Sequence, residues 1–86
     1  MYKLGLSQRA RKDIDDLPDN MWPRVRSAIN DLRNNPRPTG CKKLKGQPKT
    51  YRIRVGNYRA LYDVDDTART VVMLRVQHRR DAYRDL

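Results

Sequence analysis

The sequence has a single cysteine, a single histidine and no apolar run that approaches membrane-spanning length. Cys41 cannot form an internal disulfide, and no second Cys or His stands near it at the spacing of metal ligands, so we expect a small, half-buried side chain there. The chain also lacks the apolar segment of a signal peptide, a repeat and an interdomain linker. We therefore expect a cytoplasmic protein without a membrane segment, a metal site or a cofactor.

Acidic residues are scarce: 10 Asp and Glu stand against 20 Lys and Arg, which gives a formal net charge of +10. A charge of this size attracts phosphate polymers, acidic proteins or anionic membranes. Membrane-surface binding is disfavoured, because the basic residues are spread over predicted strands as well as helices. Nucleic acid and an acidic protein remain as partners. With 86 residues the chain is long enough for one small domain, which we place at residues 1–86.

The central pattern of the chain is the segment Y-R-I-R-V-G-N-Y-R-A-L-Y at residues 51–62. Apolar and basic residues alternate with a period of two, which is typical of a half-buried strand. Gly56 and Asn57 tolerate the positive φ angles of a tight hairpin turn, and a second run of strand-forming residues follows them. A two-residue loop pairs Val55 with Tyr58.

Three arginines of this hairpin fall on the same predicted face. The two-residue loop places Arg54 directly opposite Arg59, with Arg52 diagonal to Arg59. Like charges opposite each other destabilise a sheet, and a solvated strand face normally mixes charge signs. The pattern therefore favours a polyanion site over arginine clustering by chance on a wet surface. A longer loop would change the register and move Arg59 relative to Arg54.

Ahead of the hairpin the sequence predicts a short strand and two helices. Near the start of the chain apolar residues alternate with others, as in a strand with one buried face. Ser7 is a good N-cap for a first helix over residues 8–17. A second helix, capped by Asp19 or Asn20, is expected to end near Asn34. Two helices joined by a short turn form an antiparallel hairpin.

A loop rich in proline and glycine follows the second helix at residues 37–49, in which residues 41–44 can form a short edge strand. The loop contains a basic patch of Lys42, Lys43, Lys45 and Lys49. The patch either extends the footprint of a phosphate backbone or is a solvated loop. Residues 70–76 are apolar on both faces, as expected for a central strand. Beyond its end, at the rim of the sheet, come His78, Arg79, Arg80 and Tyr83.

Residues 51–62, together with T-V-V-M-L-R-V-Q-H-R-R-D-A-Y-R at residues 70–84, resemble the RelE/ParE superfamily of type II toxins. The segment K-L-K-G at residues 43–46 also matches the family pattern. The resemblance covers essentially the whole chain and is greatest to the RelE subgroup. It implies an α+β fold with a short N-terminal strand and an antiparallel helical hairpin packed on an antiparallel β-sheet of about four strands.

The resemblance also implies a function. RelE-type toxins of type II toxin–antitoxin systems are ribosome-dependent mRNA endonucleases, also called mRNA interferases. In these enzymes the ribose 2′-hydroxyl attacks the adjacent phosphorus, and no metal is needed. The implied partners are the ribosome, mRNA and an acidic, RelB-like antitoxin encoded beside the toxin, with which it forms a hetero-oligomer.

Site residues are implied by position in the family motifs. The implied catalytic residues are Arg54, Arg59, Arg79 and Tyr83. Arg52 is assigned to RNA binding by the same match. We add Lys45 and Lys49 from the basic patch, and His78 and Arg80 from the end of the last strand. Phosphoryl transfer needs positioned positive charge more than covalent chemistry, and the planar fork of arginine suits phosphate oxygens.

This chain departs from the best-known RelE enzymes at Arg52 and Arg54, where those enzymes have lysines. A lysine with a depressed pKa can lose its proton, whereas an arginine effectively cannot. Neither residue is therefore suited as a general base, and Tyr83 and His78 remain as candidates for proton transfer. Two other functions stay open: a ParE-type toxin that binds DNA gyrase and cuts nothing, and a basic binding module without toxicity.

Overall fold

The computed structural model describes residues 1–80, so Tyr83 lies outside the described residues. Within them the chain forms two helices and five strands. In order these are β1 (Lys3–Leu6), α1 (Gln8–Asp15), α2 (Trp22–Asp31), β2 (Lys42–Lys43), β3 (Thr50–Val55), β4 (Tyr58–Asp65) and β5 (Thr70–His78). No helix in this range is long and apolar enough to cross a membrane.

The first helix begins where the sequence predicts. The side-chain oxygen of Ser7 accepts a hydrogen bond from the amide of Ala10 at 3.0 Å, which satisfies one of the unpaired donors of the first turn. The same hydroxyl donates to the carbonyl oxygen of Leu74 in β5 at 3.0 Å. The cap therefore also fixes the start of α1 to the sheet.

The second helix begins without the predicted side-chain cap from Asp19 or Asn20. Met21 is the N-cap residue and makes no side-chain cap hydrogen bond. Its amide donates instead to the carbonyl oxygen of Pro18 at 2.9 Å. Pro23, in the first turn, has no amide that needs an acceptor. Backbone contacts thus replace the cap, which explains why that prediction was wrong.

The five strands form one sheet in the order β1-β5-β4-β3-β2. β1 pairs with β5 in parallel, from Lys3 opposite Thr70 to Leu6 opposite Met73, and the other pairs are antiparallel. The RelE-like α+β architecture is confirmed, but the sheet has five strands rather than about four and is mixed rather than antiparallel. Alternation in a sequence reveals a strand and not its partner, so the parallel pair was not foreseen.

The hydrophobic core lies between the helices and one face of the sheet. Its largest fully buried side chains are Val25, Leu32, Tyr62, Val71 and Met73. The Tyr62 hydroxyl donates to the carbonyl oxygen of Pro36 at 2.7 Å, so the buried phenol is satisfied. Neighbouring residues on each strand face away from the helices. That second face is where the hairpin arginines lie.

The turn between β3 and β4 contains two residues, as predicted, and Val55 pairs with Tyr58. Gly56 has a φ of +59°, whereas Asn57 is not among the residues with positive φ. A positive φ at the first central position alone is the pattern of a type II′ turn, which suits the twist of a hairpin. Gly56 therefore sets the register on which the arginine positions depend.

Candidate nucleic-acid interface

The β3–β4 hairpin places two arginines side by side. Arg54 lies directly opposite Arg59, as predicted, and Arg59 lies opposite Gln77 of β5. Directly opposed residues share a face of the sheet. The chain neighbours of Arg54 and Arg59 pack against the core, so the two arginines lie on the face away from the helices. Arg52 is two residues along the same face, opposite Leu61. We refer to Arg52, Arg54 and Arg59 as the arginine face.

Arg54 is exposed and is held by its own hairpin, since its Nε donates to the carbonyl oxygen of Gly56 at 3.1 Å. Within residues 1–80 it has no carboxylate partner. Asp66, a carboxylate elsewhere on the surface, is already paired with Arg37. Hydrogen bonds from Tyr2 and Arg37 hold the pKa of Asp66 below its usual range. The positive charge of Arg54 is therefore available to an external anion.

The end of β5 is fastened to the tip of the hairpin. The amide of Arg79 donates to the carbonyl oxygen of Asn57 at 2.7 Å, and the Arg79 side chain is exposed. The backbone thus brings three arginines assigned to catalysis from sequence to one end of the sheet: Arg54, Arg59 and Arg79. Two of them are distant from Arg79 in the sequence, and only the fold joins them.

His78 lies on the other side of the sheet. It is opposite Tyr58, and the two rings meet edge-on with their centroids 5.2 Å apart. Tyr58 packs against the core, so His78 faces the helices, whereas its neighbour Gln77 shares a face with Arg59. The Nδ1 of His78 accepts a hydrogen bond from the backbone amide of Arg80 at 3.3 Å, and the side chain of Arg80 is exposed. His78 is close to the tip but does not point toward the arginine face.

The lysines of the preceding loop lie farther away. Lys49 immediately precedes β3, five residues from Arg54, which corresponds to about 16 Å along a strand. Lys45 and Lys49 are exposed at that distant end, and the structure does not bring them to the hairpin tip. Lys42 of β2, by contrast, lies directly opposite Arg52 and extends the basic row across the sheet. The two-residue strand that carries Lys42 falls inside the predicted edge segment.

Arg75, which sequence reasoning did not single out, is held by Asp13 of α1. Its Nε donates to Oδ2 of Asp13 at 2.8 Å, and the same oxygen accepts from the amide of Val76 at 2.9 Å. β1 covers β5 only as far as Met73, so Asp13 takes over the exposed edge where β1 ends. Asp13 thereby fixes the final stretch of β5 that leads to Arg79.

No group of His, Cys, Asp and Glu within residues 1–80 could hold a metal ion. Cys41 is a free thiol and is half-buried, as expected from the sequence. The chemistry that this surface offers is that of guanidinium groups at one end of a sheet, with Arg54 and Arg79 exposed and Arg59 half-buried. Such groups bind and neutralise phosphate oxygens.

Comparison with known proteins identifies the family of this chain. The family model described as "ParE toxin of type II toxin-antitoxin system, parDE" matches residues 4–83. Toxin RelG of Mycobacterium tuberculosis is 38% identical over 84 residues, which are 96% of this chain and 97% of the relative. The chain belongs to the RelE/ParE superfamily of type II toxins. A putative toxin, RelE1 of Methanocaldococcus jannaschii, is 30% identical to this superfamily member over 98% of the chain.

Solved structures of RelE/ParE toxins have the same fold. The RelE of the archaeal RelE–RelB complex from Pyrococcus horikoshii superposes with a TM-score of 0.81 at 25% identity, covering 91% of this chain and 94% of that one. The RelBE2 toxin–antitoxin complex of M. tuberculosis gives a TM-score of 0.78 at 35% identity, covering 90% and 96%. The isolated Escherichia coli RelE toxin, at 24% identity, matches in fold with a TM-score of 0.80. The resemblance seen in the sequence is confirmed.

Proposed function

We propose that this toxin is a ribosome-dependent mRNA endonuclease. The observation that carries the proposal is the meeting of Arg54, Arg59 and Arg79 at one end of the sheet, through the register of the hairpin and the Arg79–Asn57 hydrogen bond. Guanidinium groups that share one face of the sheet offer donors to the oxygens of a phosphate, and the planar fork of arginine suits that geometry. Because its substrate is mRNA on the ribosome, we place its action in the cytoplasm.

The proposed reaction is an internal transesterification of RNA. The ribose 2′-oxygen forms a bond to the adjacent phosphorus while the bond from phosphorus to the 5′-oxygen breaks, which leaves a cyclic phosphate and a 5′-hydroxyl. Negative charge grows on the phosphoryl oxygens in the transition state, and positioned cations stabilise it. We assign this role to Arg59 and Arg79, with Arg52 and Arg54 holding the RNA backbone on either side.

Two protons move in this reaction, one from the 2′-hydroxyl and one to the leaving 5′-oxygen. Arginine is not suited to either transfer, because it stays protonated. His78 faces the helices rather than the arginine face, which disfavours it as a direct partner of Arg59. We therefore propose Tyr83, on the strength of the family motif, as the group that exchanges a proton or stacks on a base.

We further propose an acidic, RelB-like antitoxin as the partner of this chain. The charge of +10 and the basic arginine face, of which Arg54 is exposed, favour an acidic segment. Apolar surface is also present, since Leu6 and Trp22 are more than a third exposed beside a cavity of about 420 Å³. The RelE relatives from P. horikoshii and M. tuberculosis were solved in complex with their antitoxins, which supports the same arrangement here.

The proposal is tested by adding the purified toxin to translating ribosomes and mapping the 5′ ends of the mRNA. We expect cuts within codons of the ribosomal A site, and we expect them to vanish in a variant with both Arg59→Ala and Arg79→Ala. Arg11→Ala, an exposed substitution on α1, is the matched control and should cut normally. Full cleavage by the double variant at equal protein levels would remove the site assignment.

The alternative is a ParE-type toxin that binds DNA gyrase, and the description of the matching family favours it. Such a toxin leaves mRNA intact and causes gyrase-dependent DNA breaks. Measuring both products in cells after induction separates the two functions. DNA breaks together with uncut mRNA would assign this chain to the gyrase-directed group.

A further inference from the structure

A fourth arginine reaches the hairpin tip from the opposite side of the sheet. Gly56 approaches Arg24 of α2 so closely that a Cβ at Gly56 would lie 3.1 Å from Nη1, 3.4 Å from Cζ and 3.4 Å from Nη2. These nearly equal distances mean that the guanidinium presents its flat face to the glycine. A Cβ at position 56 would be tight against Arg24, whose guanidinium would have to shift by a few tenths of an ångström. The φ of +59° independently favours glycine at this position.

Local stability does not explain Arg24. It stands in the first turn of α2, where the helix dipole is positive and a cation is unfavourable. That turn contains no acidic residue to offset it. Arg24 is exposed, and in the part of the chain that the structure describes it forms neither an ion pair nor a hydrogen bond. Its position therefore fits a role toward an external anion.

The stacked arrangement prepares Arg24 for such a role. A guanidinium that packs by its flat face keeps its N–H groups in the exposed plane, where they can engage phosphate oxygens. Arg54 approaches the same turn from the arginine face, where its Nε bonds the Gly56 carbonyl at 3.1 Å. Arg79 is joined to the turn through Asn57. Cations thus surround the tip on both sides of the sheet.

We propose that Arg24 binds a phosphate of the RNA strand next to the one that reacts, so that the strand bends over the hairpin tip toward α2. This inference rests on the proposed function, since it takes RNA as the ligand. It adds a residue of α2 to an interface that the family motifs place on the sheet and the chain end. Arg24 is a binding residue here, and the chemical step remains with the arginine face.

The test measures how the affinity for a short fluorescent single-stranded RNA changes with salt, by anisotropy. Each phosphate contact contributes about 0.7 to the slope of log affinity against log salt for single strands. We expect Arg24→Ala to reduce the slope by about that amount. Arg26→Ala is the matched control: the same residue type, exposed on the same helix, but about 200° around it. It should leave the slope unchanged.

A second variant separates charge from fold. Arg24→Lys keeps the charge and loses the planar fork, so it should retain the slope of the unaltered chain while lowering affinity. Circular dichroism and urea unfolding should be the same for Arg24→Ala and Arg26→Ala. Equal slopes for the Ala variants at equal stability would overturn the assignment of Arg24.

Two further outcomes identify which proposal has failed. If Arg24→Ala weakens binding of the acidic antitoxin and leaves the RNA slope unchanged, Arg24 belongs to the protein partner and the inference is overturned. If the unaltered toxin binds RNA without salt dependence, the nuclease proposal fails with it. If the affinity of the unaltered toxin for RNA depends steeply on salt and Arg24→Ala does not change that dependence, the nuclease proposal stands and the inference alone is rejected.

Discussion

Arg59 is the residue at which fold and proposed chemistry coincide most directly, since it pairs with Arg54 on one side and Gln77 on the other. We expect Arg59→Ala to slow mRNA cleavage by roughly a hundredfold or more, as for the loss of one charge-stabilising donor. Folding should survive, because the residue is on the face away from the core. Cleavage kinetics and circular dichroism together check both statements.

The substitution Arg54→Lys tests whether the guanidinium of Arg54 contributes anything besides its positive charge. Lysine keeps the positive charge and loses the Nε hydrogen bond to Gly56. If Arg54 only holds the backbone of the RNA, cleavage should fall slightly and keep its pH profile. Faster cleavage with a new pH dependence would mean that lysine supplies a missing general base. Single-turnover rates across a pH series distinguish the two results.

Tyr62 predicts how stability responds to alkaline pH. Its phenol is fully buried, and burial raises the pKa of Tyr62 well above its ordinary value of about 10. Above a pH of about 10, the ordinary pKa of tyrosine, the unfolded chain loses the phenolic proton while the folded chain keeps it. The free energy of unfolding therefore falls as pH rises.

Urea unfolding at several alkaline pH values measures this effect. Tyr62→Phe should unfold more easily near neutrality, by about 1 kcal/mol for the lost hydrogen bond to Pro36. It should also show a weaker decline in stability toward high pH than the unaltered chain. An identical decline in both proteins would mean that other groups produce it.

At the scale of elements, the contact between α1 and β5 depends on Asp13. Asp13→Ala leaves the amide of Val76 without its acceptor and Arg75 without its ion pair, and both groups are partly buried. We expect the free energy of unfolding to fall by about 1–3 kcal/mol. Asp13→Asn keeps an acceptor and should lose less. Asp15→Ala, exposed on the same helix, is the control and should be nearly neutral in urea unfolding.

What could be predicted from the sequence was local. The two-residue turn and the alternation around it gave the pairing of Arg54 with Arg59, because a short loop fixes its own register. The partner of β1 and the contact of Asp13 with Arg75, 62 residues away, join distant segments and leave no periodic signal. The side of the sheet on which His78 lies also depended on tertiary structure, namely its pairing with Tyr58.

At the scale of the whole molecule, the charge of +10 governs association. We expect the affinity for the acidic antitoxin to weaken as salt rises, since exposed charges are screened. The decline should be less steep than for an oligonucleotide, because the apolar surface around Leu6 and Trp22 contributes a term that salt does not screen. Titration calorimetry over a salt series measures this. Affinity that does not change with salt would contradict the electrostatic part.

The parallel pair of β1 and β5 has a consequence for the timing of synthesis. The residues from Lys3 to Leu6 are made well before their partners, Thr70 to Met73, which belong to the last strand that the structure describes. A segment of a nascent chain can fold only when the residues that it contacts have also been made, and pairings between distant segments form slowly. The sheet therefore cannot be completed until β5 has emerged. The hydrogen bond that joins Arg79 to the hairpin also has to wait for that step. The arginines of the site therefore come together only after β5 has been made.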